Sequence, residues 1–268
     1  MRRPWPYMQE GLAMLTGLVL WAVVAHSSGL PDFILPPPEQ VAARAWASLR
    51  DGSLLRHTWV TLQEVLAGLA VGVAVGAPLG FLLGKCPRLE RFLAPYIIAS
   101  QAVPMVAIAP LLVIWFGPGV LSKILITGLI TFFPVLVNTM LGVHSVPEDL
   151  RDLFRSLGAR PWQTARYLEI PATLPMFLGG LRMAATLSVI GAVVGEFLAA
   201  EAGLGFLINQ ARGRYDTALV FVGVAMLMAL ALSLYGLVRV VERRVLHWQR
   251  RNGQRVVAGS WRTKPALR

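Results

Sequence analysis

The sequence predicts an all-α integral membrane protein with six transmembrane helices. Three observations carry that reading. Of the 268 residues, 56% are hydrophobic and only 15% are charged, and the mean hydropathy is +0.61; a soluble domain carries about 25% charge. The apolar residues gather into runs close to the roughly 20 residues that cross a bilayer as a helix. Lysine and arginine stand at the ends of those runs and alternate in density from one end to the next.

The expected spans are 11–27, 61–84, 93–116, 121–143, 175–200 and 217–240. The first follows Arg2 and Arg3, as a signal peptide does. No clear small-x-small cleavage site follows it, and its removal would upset the charge alternation, so residues 1–27 read as an N-terminal segment with a first span. Segment 28–60 holds Pro36-Pro37-Pro38. Pro38 suits the first position of a short helix with Val41, Ala45, Trp46 and Leu49 on one face, expected on the membrane surface. Residues 61–245 form the core, and 246–268 a basic tail suited to an anionic inner leaflet.

Nineteen of the 25 lysines and arginines fall in the two termini and in the segments around Lys85 and Arg151. The positive-inside rule then puts both termini and the 148–171 loop in the cytoplasm.

Span 61–84 carries Gly68, Gly72, Gly76, Gly80 and Gly84, one every four residues. Such a row drifts about 40° per step around the helix and lets a neighbour approach closely. Pro78, Pro104, Pro110 and Pro134 are expected to kink their helices.

Loop 145–174 is the longest charged interruption. Leu150, Leu153, Phe154 and Leu157 fall at i, i+3, i+4 and i+7, one apolar stripe. Gly158 suits the position just past a helix end, and Pro161 can open a second helix whose apolar positions include Trp162, Ala165 and Leu168. Pro171 and Pro175 are expected to separate that helix from the next span.

Much chemistry is missing. The net charge of +11 does not indicate nucleic acid, because the charges cap apolar segments and form no continuous basic face. One cysteine, Cys86, cannot form an internal disulfide. Gly80-Phe-Leu-Leu-Gly84-Lys85-Cys86 lacks the spacing and hydroxyl of a phosphate loop. The four histidines have no metal-site spacing, and no Gly-x-Ser-x-Gly occurs. Glu196 is the ionisable residue singled out within a span, near the end opposite the loop; it either serves the translocation path or caps a neighbouring element. Gln101 and Asn138 are the other path candidates, with interhelical hydrogen bonding as their alternative role. An ion-coupled carrier needs buried carboxylates or histidines, and one peripheral glutamate is a poor supply.

The loop resembles the cytoplasmic loop of permease subunits in binding-protein-dependent ABC importers. That pattern runs Glu-Ala-Ala, three residues, Gly, nine residues, Ile-x-Leu-Pro. Here the matching positions are Asp152-Leu153-Phe154, Gly158 and Leu168-Glu169-Ile170-Pro171. Asp replaces Glu, and Leu-Phe replaces two alanines. The likeness extends over 60–245: Pro104-Met-Val-Ala-Ile-Ala-Pro110, Phe132-Phe-Pro134-Val-Leu-Val-Asn138 and Gly191-Ala-Val-Val-Gly195-Glu196-Phe are similar to the nitrate/sulfonate/taurine branch. Permeases for thiamine-pyrimidine precursors and riboflavin look much the same. The resemblance implies a type I importer permease fold with cytoplasmic coupling helices and no catalysis or cofactor on this chain. ATP and Mg²⁺ would sit on two partner ATPase subunits docking at Asp152, Leu153, Phe154, Leu157, Gly158, Ala159, Pro161, Trp162, Leu168 and Pro171. A second permease copy would complete the path, and an external binding protein would deliver the solute. The competing class is an ion-coupled secondary transporter or channel.

Overall fold

The computed structural model describes residues 5–247, with no β-strand among them. Most of the basic tail, with Arg2 and Arg3, lies outside the described residues. In chain order the elements are α1 (Trp5–Ser27), α2 (Pro38–Arg50), α3 (Ser53–Lys85), α4 (Pro87–Ala102), α5 (Met105–Phe116), α6 (Val120–His144) and α7 (Glu148–Ser156). Then follow α8 (Pro161–Thr164), a π-turn (Ala165–Glu169), α9 (Ile170–Ala199), α10 (Leu204–Gly213) and α11 (Thr217–Val245). Four helical stretches are long and apolar enough to cross a bilayer: α3, α6, Pro161–Ala199 and α11. The bent pair α4–α5 makes a fifth if it counts as one crossing. Within α1 the described apolar stretch is Leu15–Ser27, so the described residues establish four or five of the six expected spans.

The glycine row sets the centre of the bundle. Gly68, Gly72, Gly76, Gly80 and Gly84 are all buried and all face α6. A methyl group at Gly76 would stand 2.8 Å from the Phe132 carbonyl oxygen, and one at Gly80 would stand 2.9 Å from Thr139 Cβ. Backbone therefore meets backbone, the contact that lipid-embedded helices use where burial from water supplies no drive. On its other side α6 meets α9 in the same way: Gly142 lies against Thr173, Gly180 against Asn138, Gly191 against Thr127 and Gly195 against Lys123. Helix α6 is thus held between α3 and α9. Val65, Ala185, Val189, Leu230 and Leu234 close α3, α9 and α11 around an apolar core.

Three expectations change. The 93–116 span is not one rod: α4 and α5 meet at 92°. Pro104 has no amide hydrogen and pushes Val103 into extended backbone (φ −76°, ψ 123°), which ends α4 there. Conversely, Pro171 and Pro175 separate nothing. Helix runs from Pro161 to Ala199, because the π-turn places the Ile170 N–H on the Ala165 carbonyl and resets the ladder just before Pro171. Finally, α2 does begin at Pro38, but its apolar residues do not share one surface. Val41 and Ala45 pack against Leu54, Leu204 and Leu219, while Trp46 is exposed. Arg44 also bonds Asp216 at 2.8 Å, fastening α2 to the start of α11.

Candidate functional site

At one end of the bundle, α7 is an amphipathic helix whose apolar face is largely exposed among the described residues. Leu153 is 51% exposed and Leu157 74%, while Phe154 is half-buried. Glu148 and Asp149 stand in the first turn and Arg155 in the last, each favourable to the helix dipole. The exposed Arg155–Asp152 pair, 2.9 Å apart, adds little. Gly158 ends the helix at φ +69°, a conformation glycine adopts without strain. Its N–H donates to the Arg155 carbonyl (2.9 Å), and the Ala159 N–H donates to the Phe154 carbonyl (3.0 Å), satisfying carbonyls the helix end leaves free. The Arg160 N–H donates to Gln163 Oε1 at 2.7 Å as Pro161 opens α8. Asp152, Leu153, Leu157, Gly158, Pro161 and Trp162 are therefore exposed together, and Phe154, Ala159, Leu168 and Pro171 turn partly into the protein.

What holds this loop in place was not singled out from sequence. Glu169, only 4% exposed, lies 2.8 Å from Lys85 Nζ at the end of α3 and 3.8 Å from Arg151 Nε on α7. Arg151 also donates to the Val143 carbonyl at 2.7 Å. One carboxylate thus joins the π-turn, α3 and α7, and one guanidinium joins α7 to α6. Glu169 occupies the variable position of Ile-x-Leu-Pro, so spacing gave no sign of it; only the three-dimensional meeting of three segments does.

The far end of the bundle corrects a second expectation. Glu196 is not peripheral: it is 2% exposed. Thr61 Oγ1 donates to its Oε1 at 2.6 Å, and the Gly205 N–H donates to Oε2. Thr61 in turn accepts from the Leu204 N–H at 2.7 Å, and His57 Nδ1 accepts from the Gly203 N–H at 3.0 Å. Glu196 therefore caps α10, with Gly203 at φ +123° bringing backbone against its carboxylate. Beside it, Lys123 on α6 is ion-paired with Glu64 on α3, at 5% and 1% exposure. Both lie inside expected spans, Glu64 within 61–84 and Lys123 within 121–143. Their signal is a charge inside a hydrophobic span, a costly placement that demands a partner. With three buried ionisable groups here, scarcity of such groups no longer argues against ion coupling. Gln101 and Asn138 also differ from the interhelical bonds expected of them. Each donates within its own helix, to the Ile97 carbonyl (3.4 Å) and the Pro134 carbonyl (2.8 Å).

Comparison with known proteins decides the family. Residues 72–247 match the family described as the binding-protein-dependent transport system inner membrane component. The riboflavin transport system permease protein RibX of Chloroflexus aurantiacus is 44% identical over 92% of this chain and 92% of its own. The formylaminopyrimidine transport permease protein ThiX of Halalkalibacterium halodurans is 36% identical over 94% of this chain and 100% of its own. The taurine transport system permease protein TauC of Escherichia coli is 33% identical over 86% of both chains. In fold, the chain is similar to one from an inward-facing MetNI methionine ABC transporter, with a TM-score of 0.61 at 20% identity over 72% of this chain and 96% of that one. A permease of this kind is a multi-pass inner-membrane component without catalysis of its own; its system includes a separate ATPase and a solute-binding protein. The chain belongs to the family of binding-protein-dependent transport inner-membrane components, the permease subunits of ABC importers.

Proposed function

We propose that two copies of this chain form the translocation path of an importer driven by two ATPase subunits that dock on α7 and α8. ATP and Mg²⁺ bind those partners, not this chain. The observation that carries the reading is the exposed face of Leu153, Leu157 and Trp162 on a loop fastened to three helices through Glu169 and Arg151. An apolar face on a soluble loop is an interaction surface, and a loop fastened this way can pass on a push. ATP-driven closure of the two ATPases would move the paired loops and switch the path between inward- and outward-facing states. Six crossings with both termini in the cytoplasm fit the charge distribution, with α1 as the sixth. The solute is small: a sulfonate or taurine-type anion, or a thiamine-pyrimidine or riboflavin-type precursor, as the relatives' names suggest, or nitrate, as the sequence resemblance implies.

Reconstitution of permease, ATPase and binding protein in proteoliposomes tests this. Uptake is expected only with all three components and ATP. Flux through the permease alone, without ATP, would instead identify an ion-coupled carrier or channel.

A further inference from the structure

A cavity of about 500 Å³ opens at the end of the bundle opposite the docking loop. Its walls come from α3 (Val60, Glu64), the start of α6 (Gly119, Lys123) and the end of α9 with the segment after it (Ala200, Glu201). Glu64 borders it while only 1% exposed. Lys123 engages Glu64 Oε1, and Oε2 has no hydrogen-bond partner among the described residues. A buried carboxylate oxygen without a donor is an acceptor held ready for one.

The charge balance states which solutes suit it. Lys123 is matched by Glu64, and Glu201 stands exposed at the rim. At the cavity itself two carboxylates, Glu64 and Glu201, thus face one ammonium. The dipoles of the α6 start and the α9 end, both at the cavity, are opposite in sign and offset each other. The excess is negative.

We infer that this cavity receives an uncharged or cationic polar solute, which donates N–H or O–H groups to Glu64, and that it disfavours anions such as sulfonates. The inference rests on the importer reading and narrows its solute class.

Charge-selective thiol labelling tests it in the complete reconstituted importer. Cys86, the only cysteine, is replaced by C86S, and Ala200, half-buried on the cavity wall, becomes the reporter through A200C. Trimethylammonium-ethyl and sulfonato-ethyl methanethiosulfonate serve as probes, each rate normalised to free cysteine in solution. The cationic probe is expected to react at least about fivefold faster, and about 0.5 M salt should collapse the ratio. Adding E201Q, an exposed substitution that leaves the fold intact, should lower the ratio, and E64Q should lower it further. A ratio of one or below, or one insensitive to E201Q, overturns the inference. Blocking A200C with a bulky neutral maleimide is expected to cut uptake about tenfold while the ATPase still co-purifies; unchanged uptake removes the cavity from the path. Neither failure touches the importer reading, which fails separately if uptake by the unlabelled complex ignores ATP.

Discussion

The clamp at Glu169 makes a quantitative prediction about coupling. Glu169→Gln keeps the side-chain shape and removes the charge that faces Lys85 Nζ at 2.8 Å and Arg151 Nε at 3.8 Å. Removing one partner of a buried ion pair costs about 3–5 kcal/mol. Here the Lys85 and Arg151 side chains are 31% and 25% exposed, so water recovers part of the loss. Arg151 also keeps its bond to the Val143 carbonyl. A loss of about 1–3 kcal/mol follows, which loosens α7 from α3 by roughly five- to 150-fold. The docking face of Leu153, Leu157 and Trp162 is untouched. In proteoliposomes, the ATPase should still co-purify and hydrolyse ATP, while solute moved per ATP falls about five- to tenfold. Lys85→Met should show a smaller loss, because Glu169 keeps Arg151, and the double mutant should be little worse than Glu169→Gln alone, because both substitutions remove the Lys85–Glu169 pair. Wild-type solute per ATP in Glu169→Gln would refute the clamp as a force path and leave Glu169 a space-filling residue.

Gly158→Val should weaken ATPase co-purification about tenfold or more without changing bundle assembly, since a β-branched side chain is strained at φ +69° and nothing lies within 4 Å of the position; unchanged co-purification counts against docking at this loop. Gly76→Ala should lower thermal stability in detergent by about 1–3 kcal/mol, because its methyl meets the Phe132 carbonyl at 2.8 Å. Gly236→Ala, with no neighbour within 4 Å, should leave it unchanged; equal melting temperatures for the two would contradict the tight α3–α6 contact. Glu196→Ala strips the acceptor from Thr61 and the Gly205 N–H, so it should reduce uptake and lower the melting temperature by several degrees with ATPase docking intact; normal uptake and stability together would refute its capping role.

The parts of this fold written in the sequence are those set by local pattern. Glycines at intervals of four can line only one side of a helix, and the row indeed meets α6. Leu150, Leu153 and Leu157 with Gly158 after them can form only a short helix and its glycine stop, and α7 is that helix. What stayed hidden depends on where distant segments meet. Glu64 and Lys123 are 59 residues apart, and each alone reads as a misplaced charge until α3 and α6 are laid together. Glu169 needs the ends of α3 and α7 beside it before it becomes a clamp. The prolines misled for a different reason. Pro171 breaks a regular ladder, but a π-turn just before it leaves the backbone already out of register, so the helix continues.

These features lie on one mechanical line. Lys85 and Glu64 stand on the same helix, 21 positions apart, or about 31 Å along its axis at 1.5 Å per residue. Between them the glycine row presses α3 onto α6 with no side chain to act as a soft spacer. A close-packed contact of this kind shifts as a unit. Under the proposed coupling, displacement of α7 would enter α3 through Glu169 and Lys85 and α6 through Arg151 and Val143, and would emerge at Glu64 and Lys123. Those two residues form one wall of the distal cavity, whereas Ala200 and Glu201 belong to the end of α9 and the segment after it. Gly180, Gly191 and Gly195 also bind α9 to α6, and the bonds of Gly203 to His57, Leu204 to Thr61 and Gly205 to Glu196 tie the start of α10 to α3 and α9. Under the proposed coupling, the carboxylate that caps α10 therefore sits where α3, α9 and the start of α10 meet, beside the cavity that the stroke would reach.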